Sequence, residues 1–425
     1  MRPLWQQCCE SASGRDNGPV TPAFPAGFPR LLSGSLPGAA NLPAVRGHNA
    51  ALVLDLLRAA GETGASRPEL AEGTGLTPQA VSKITARLRD AGLVAEAGRR
   101  PSTGGKPRTV WRLVRDARYA VGLHLDRDEL TAVLADLLGG PVAVHRAPFD
   151  LGAPPERALE EAVEAVRVLL APTAPEAGPR AGVLGVGVAC PGPLEHRAGV
   201  LRRVTGFPGW DGFPLRDALA ERLALPVALD KDTNAAALGL ALRGADGAGS
   251  GSGGESFAYL HLGTGLGAGL VLDGTLYRGA RTGAGEFGHQ VVQVDGPECG
   301  CGDRGCLEAL CLAAVARGDT AAAARALGVG AANLAGLLDI DRVVLGGRTV
   351  LADPEPYRAG VAAVLAARAE RTDGRPVPVS TAPGGARLVA DGAAHLVLAP
   401  LFGRLEPARG PLTWTPPGGE GVVGE

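Results

Sequence analysis

The sequence predicts an α/β chain in two parts: a small helical head closed by a β-hairpin, then a longer body of two related lobes flanking a cleft. Three observations carry this expectation. Residues 49–115 read as three short helices followed by a hairpin. From Arg118 onward, strand-like apolar runs alternate with helical ones. Within that region "AVGLHLDRDELTAVL" is echoed by "AYLHLGTGLGAGLVL", with Leu-His-Leu before the turn in both.

In the head, helical spacing starts at Asn49 and places Leu52, Val53, Leu56 and Leu57 on one face. Residues 1–44 before it are rich in Pro, Gly and Ser without periodicity, and disorder is expected there. In "SRPELAEGTGL", Ser66 caps a short helix, Pro68 sits in its first turn and Gly75 closes it. "TPQAVSKITARLRDAGLV" follows, with Thr77 as N-cap and Pro78 at the first helical position. Val81, Ile84 and Leu88 form its apolar face, so Gln79, Ser82, Lys83 and Arg87 point away. "LVAEAGRRPSTGGKPRTVWRLV" then reads as strand, tight basic loop, strand.

Three helices and such a hairpin make a winged helix-turn-helix, placed at residues 45–115. A recognition helix carrying Thr77, Gln79, Ser82, Lys83 and Arg87 can reach base edges and phosphates in a major groove. The wing adds Arg99, Arg100, Lys106 and Arg108, and no acidic residue occurs between Ala97 and Arg115. The expected partner is an operator DNA. One module makes few contacts, so dimers reading two half-sites are expected.

The body continues the pattern: strands at "YAVGLHL" and "LTAVLADL", a helix at "EEAVEAVRVLLA", and a buried strand at "VLGVGVACPG". A helix "PLRDALAERLAL", a strand "PVALDKD" and a helix "TNAAALGLALRG" come next. The first lobe is placed at 118–235 and the second at 236–405, whose apolar end "AAHLVLAPLFGRL" is suited to pack on the first lobe. Residues 406–425 return to Pro and Gly and are expected to be loose.

Composition limits the function. The chain has 425 residues, 45% hydrophobic and 20% charged, as in a globular protein with room for two or three domains. A net charge of −2 gives no general attraction to nucleic acid or anionic membrane, so such binding needs a local patch. No apolar run approaches the roughly 20 residues of a membrane span, and the start lacks the apolar core of a secretion signal. The seven cysteines are odd in number and clustered, which fits metal ligation in a reducing cytoplasm better than disulfides.

That cluster is "ECGCGDRGCLE". Zinc takes four nitrogen or sulfur ligands, and His289, Cys299, Cys301 and Cys306 supply one Cys3His set. Four protein ligands leave no open position for an activated water, so the expected zinc is structural.

The stretches "GVGVACPGPL", "GWDGFPL", "LDKDTNAAALG", "LGTGLGAGLVLDG", "GAGEFGH", "CGCGDRGCLE" and "LDIDRVVLGG" together resemble the ROK family of repressors and sugar kinases. The resemblance implies a two-lobed sugar kinase/actin-like body of ribonuclease H-like lobes, commonly assembled as homodimers or tetramers. It implies that Glu286, His289 and Glu308 contact a sugar, that His289 also holds zinc, and that Asp232 matches a kinase general base. Lys231 replaces the family's usual Asn.

Kinases of this type need two glycine-rich turns around the phosphates. The second survives as "LGTGLGAG", but the first reads "HLDRDEL", where Asp126, Asp128 and Glu129 are expected to repel a triphosphate. The sequence therefore reads as a DNA-binding regulator, in the repressor layout, whose body senses a sugar or sugar phosphate. The alternative is a zinc-containing sugar kinase with an appended DNA-binding domain.

Overall fold

The computed structural model describes residues 42–100, 107–171, 182–204, 206–243 and 254–404. The chain divides into Met1–Val45, of which only a helix start is described, and Arg46–Glu425. Most of the leader, the wing tip with Lys106, and the tail at 406–425 lie outside the described residues.

The head comprises α1 (Leu42–Ala60), β1 (Ala65–Ser66), α2 (Arg67–Thr74), α3 (Pro78–Asp90), β2 (Val94–Arg100) and β3 (Arg108–Leu113). Helix α1 thus begins before Asn49, within the stretch read as disordered. The strands form an antiparallel sheet in the order β1-β3-β2. Local chemistry sets the helix starts. At the start of α2 the Ser66 N–H donates to the Glu69 carboxylate at 2.7 Å, the return half of a capping box. Thr77 Oγ1 accepts from the Ala80 N–H at 3.2 Å. Val53, Leu57, Leu70, Val81 and Trp111 are fully buried at the centre of the head.

The first lobe contains β4 (Tyr119–Leu125), β5 (Glu129–Asp136), β6 (Pro141–Pro148), α4 (Pro155–Leu169), β7 (Val183–Cys190), β8 (Leu194–Glu195), β9 (Val200–Leu201), α5 (Leu215–Leu223), β10 (Val227–Lys231) and α6 (Asp232–Arg243). The second contains β11 (Phe257–Leu262), β12 (Leu266–Leu272), β13 (Thr275–Tyr277), α7 (Leu307–Ala316), α8 (Thr320–Leu338), β14 (Arg342–Gly346), α9 (Arg348–Ala352), α10 (Pro354–Arg371), β15 (Val379–Thr381) and α11 (Leu388–Leu398).

Their large sheets run β6-β5-β4-β7-β10 and β13-β12-β11-β14-β15. Each is an antiparallel meander of three strands extended by two parallel ones. The lobes therefore share one topology, and the Leu-His-Leu echo falls at the same place in both, on β4 and β11.

The final helices exchange lobes. Helix α6 packs on β11 and β12, while α11 packs on β4 and β7. Gly122 and Gly187 permit that approach, because a Cβ at either would overlap the Ala390 or Ala393 carbonyl. Helix α11 also reaches the head. Its Ala394, Val397 and Leu398, with Phe402, share one apolar cluster with Val53, Leu54 and Leu57 of α1. Contrary to the sequence reading, Thr320–Leu338 and Gly385–Phe402 are long and apolar enough to cross a membrane, but α11 within the latter is buried along its whole length.

Candidate functional site

The cleft is lined by the turn after β4, the end of β10 with the start of α6, the turn after β11, and the segment leading into α7. The sequence-predicted residues Asp232, Glu286, His289 and Glu308 all line it.

The metal candidates meet at its edge. One ligand atom each from His289, Cys299, Cys301 and Cys306 lies within 4.8 Å of the others. His289 Nδ1 is 3.7 Å from Cys299 Sγ, and the Cys301 and Cys306 sulfurs are 3.7 Å apart. Cys306 is the N-cap of α7, so the cluster also fixes the helix that carries Glu308. Gly305 lets the loop close: its φ is 70°, and a Cβ there would collide with the Gln293 carbonyl. Three sulfurs and one imidazole nitrogen at this spacing fit a tetrahedral soft-metal site.

Both candidate sugar carboxylates already have protein partners. Lys231 Nζ donates to Glu286 Oε1 at 3.0 Å and to the Ala284 carbonyl at 2.5 Å. The Leu266 N–H donates to Glu308 Oε2 at 2.7 Å, tying α7 to β12. Each carboxylate keeps a second oxygen for hydroxyl groups. Burial pushes the Asp232 carboxyl above its ordinary range, opposed by His261 and the Thr233 N–H.

The acidic turn is paired across the cleft. Asp126 and Asp128 share one counterion from the other lobe: Arg348 Nη2 donates to Asp126 Oδ2 at 2.6 Å, and its Nη1 to Asp128 Oδ2 at 2.7 Å. Burial pushes the Asp126 carboxyl up, yet His124 and Arg348 hold it below its usual range. Glu129 does not join them; it opens β5, is exposed, and accepts from Thr131 Oγ1 at 3.2 Å. The sequence reading missed Arg348, whose only signal was its place directly after the Gly-Gly of "LGGRTV".

In the head, Thr77 is spent on its cap, while Gln79, Lys83, Arg87, Arg99 and Arg108 are exposed and Ser82 is half-buried. Arg100 is engaged within the head. It donates to Glu69 and the Thr63 carbonyl, both at 2.9 Å, and to the Gly64 carbonyl at 3.1 Å.

Two sheets of one topology around a shared cleft, each lobe's last helix packed on the other, define an actin-like, kinase-type body. The chain belongs to the ROK family, whose model matches residues 120–321. It is 32% identical to the ROK hexokinase of Thermus thermophilus, covering 96% of that structure and 65% of this chain with a TM-score of 0.53. A ROK transcriptional regulator structure, described as a homologue of the E. coli MLC protein, superimposes with a TM-score of 0.65. It covers 84% of this chain and 97% of its own at 21% identity, which shows the fold. The xylose repressor of Caldicellulosiruptor bescii is 31% identical over 245 residues, 57% of this chain. The chain spans about 59–60% of the length of the curated repressors it matches.

Proposed function

We propose that this chain is a sequence-specific DNA-binding transcriptional regulator, a repressor, whose kinase-like body senses a sugar or sugar phosphate. The observation that carries the reading is a basic head built into the same apolar core as a ROK body. In this reading residues 45–115 are a winged helix-turn-helix, with Gln79, Ser82, Lys83 and Arg87 on the reading helix and Thr77 at its N-cap. Arg99, Lys106 and Arg108 meet the phosphates, and Arg100 braces the wing. The lobes are placed at 118–235 and 236–405. Glu286, His289, Glu308 and Asp232 bind the effector, and a structural zinc on His289, Cys299, Cys301 and Cys306 keeps the first three in position. In this reading the protein works in the cytoplasm as a homodimer or tetramer, since one head makes few contacts and two half-sites need two heads.

A physical route joins effector to head. Helix α6 starts in the pocket at Asp232 and Thr233, and near its other end the Leu242 carbonyl accepts from Arg58 of α1. An effector releases DNA only if it prefers one arrangement of this linkage over the other. Phosphoryl transfer is not favoured, because the first phosphate turn is acidic and closed by Arg348.

Fragments of the source genome bound by the purified protein test the reading. Lys83→Ala and Arg99→Ala should each weaken retention, and affinity should fall steeply with salt, at a log–log slope of about −0.9 per phosphate neutralised. Retention indifferent to salt and to both changes would show that the head does not read DNA.

A further inference from the structure

We propose that Cys301 is a peroxide-modification site, and that oxidation joins it to Cys306 and opens the loop that holds α7. Among the described residues Cys301 is the one exposed cysteine. Cys190, Cys306 and Cys311 are fully buried, and Cys299 is 8% exposed. Access therefore selects one sulfur, since an oxidant modifies the thiolates it can touch. The surroundings leave it room: the next residue, Gly302, has a φ of 102° and open space on its side-chain side.

A second thiol stands ready to resolve the first. Cys306 Sγ lies 3.7 Å from Cys301 Sγ, so the pair needs to close by about 1.7 Å to reach the roughly 2.0 Å of a disulfide. Metal ligation keeps both sulfurs as thiolates, the reactive form. The Cys301 thiolate attacks hydrogen peroxide: an S–O bond forms, the O–O bond breaks and hydroxide leaves. Cys306 then attacks that sulfur: an S–S bond forms, the S–O bond breaks and a second hydroxide leaves. Two thiolates lose two electrons in total, and the peroxide, taking up two protons, becomes two waters. Only His289 and Cys299 then remain of the four ligands, too few for a closed site. The change runs on into the helix. Cys306 is the N-cap of α7, the Leu307 N–H donates to the Gln290 carbonyl at 3.0 Å, and Glu308 lines the cleft. Drawing Cys306 toward Cys301 frees the start of α7, and Glu308 with it.

Zinc release rests on the metal reading given above, whereas the disulfide is measured without it, so the two can fail separately. The full-length, zinc-loaded protein is treated with millimolar hydrogen peroxide, alkylated and mapped by peptide mass spectrometry, while a chromogenic chelator follows released zinc. A Cys8→Ser/Cys9→Ser background removes the leader thiols from the count. The expected result is a Cys301–Cys306 disulfide, loss of the bound zinc, and amide exchange in α7 about tenfold faster. Thiol reductant with added zinc should reverse all three. Cys301→His keeps four ligands as a Cys2His2 set and should retain its zinc in peroxide, with melting temperature verifying its folding. Protein that carries no zinc yet forms the same disulfide would refute the metal reading and support the modification site. The site is overturned if Cys301 stays reduced, if it pairs with another cysteine, or if exchange in α7 stays within about threefold once the disulfide has formed. Zinc lost as fast from folded Cys301→His as from wild type overturns it equally.

Discussion

Arg58→Ala should loosen the seam between head and body before it loosens either part. The Arg58 side chain is 7% exposed. It donates to Asp55 through Nε at 2.9 Å and Nη2 at 2.8 Å, and to the Leu242 carbonyl through Nη1. Its guanidinium also lies 5.6 Å from the centre of the Phe402 ring. Breaking a fully buried pair costs about 3–5 kcal/mol. Asp55 is not stranded by the change, because Arg404 still reaches its other oxygen at 2.7 Å. What is lost is the charge-assisted bond to the Leu242 carbonyl and the cover over Phe402, together about 2–3 kcal/mol. At about 1.4 kcal/mol per tenfold, amide exchange in α1 should accelerate by roughly thirty- to a hundredfold. Hydrogen exchange read by mass spectrometry resolves α1 from β7 in the first-lobe core. Exchange in α1 within threefold of wild type would refute the reasoning, as would equal acceleration of β7.

Two further outcomes follow from buried groups. Cys306→Ala removes a fully buried sulfur at the α7 N-cap; it should abolish stoichiometric zinc in metal analysis and lower the melting temperature, as a strong chelator should in the wild type. Burial pushes His124 down to about 4, and burial with Arg243 and Arg58 nearby pushes His395 down to about 3. Unfolded histidine binds protons near pH 6.5, so stability is full above that pH and falls as pH drops toward 4. At about 1.4 kcal/mol per pH unit for each group, urea midpoints should fall between pH 7 and 5. His395→Leu should flatten that slope; an unchanged slope would show that His395 does not contribute.

Local chemistry was legible and distant chemistry was not. The caps at Ser66 and Thr77 and the apolar face of α3 follow from residues within one turn of each other. The Leu-His-Leu echo located the repeated hairpins, because strand pairing leaves its pattern within a short stretch. Strand β6 was missed because it has Pro at both ends and alternates between half-buried and exposed over most of its length, and β13 because it has only three residues. Arg100 belongs to the basic wing, and its bond to Glu69 of α2, far back in sequence, is not visible in any local pattern. The counterion of the acidic turn, Arg348, lies on the other lobe, too far away in sequence for any local pattern to pair them. The docking of α11 against α1 joins nearly opposite ends of the chain, and no periodicity encodes such a contact.

The decisive measurement is retention of genomic DNA fragments by the purified, zinc-loaded protein, with and without a panel of sugars and sugar phosphates. Fragments sharing two half-sites, released by one member of the panel while the protein turns over no ATP, are the predicted result. Protein that retains no fragment, or that phosphorylates a sugar from ATP, would contradict it.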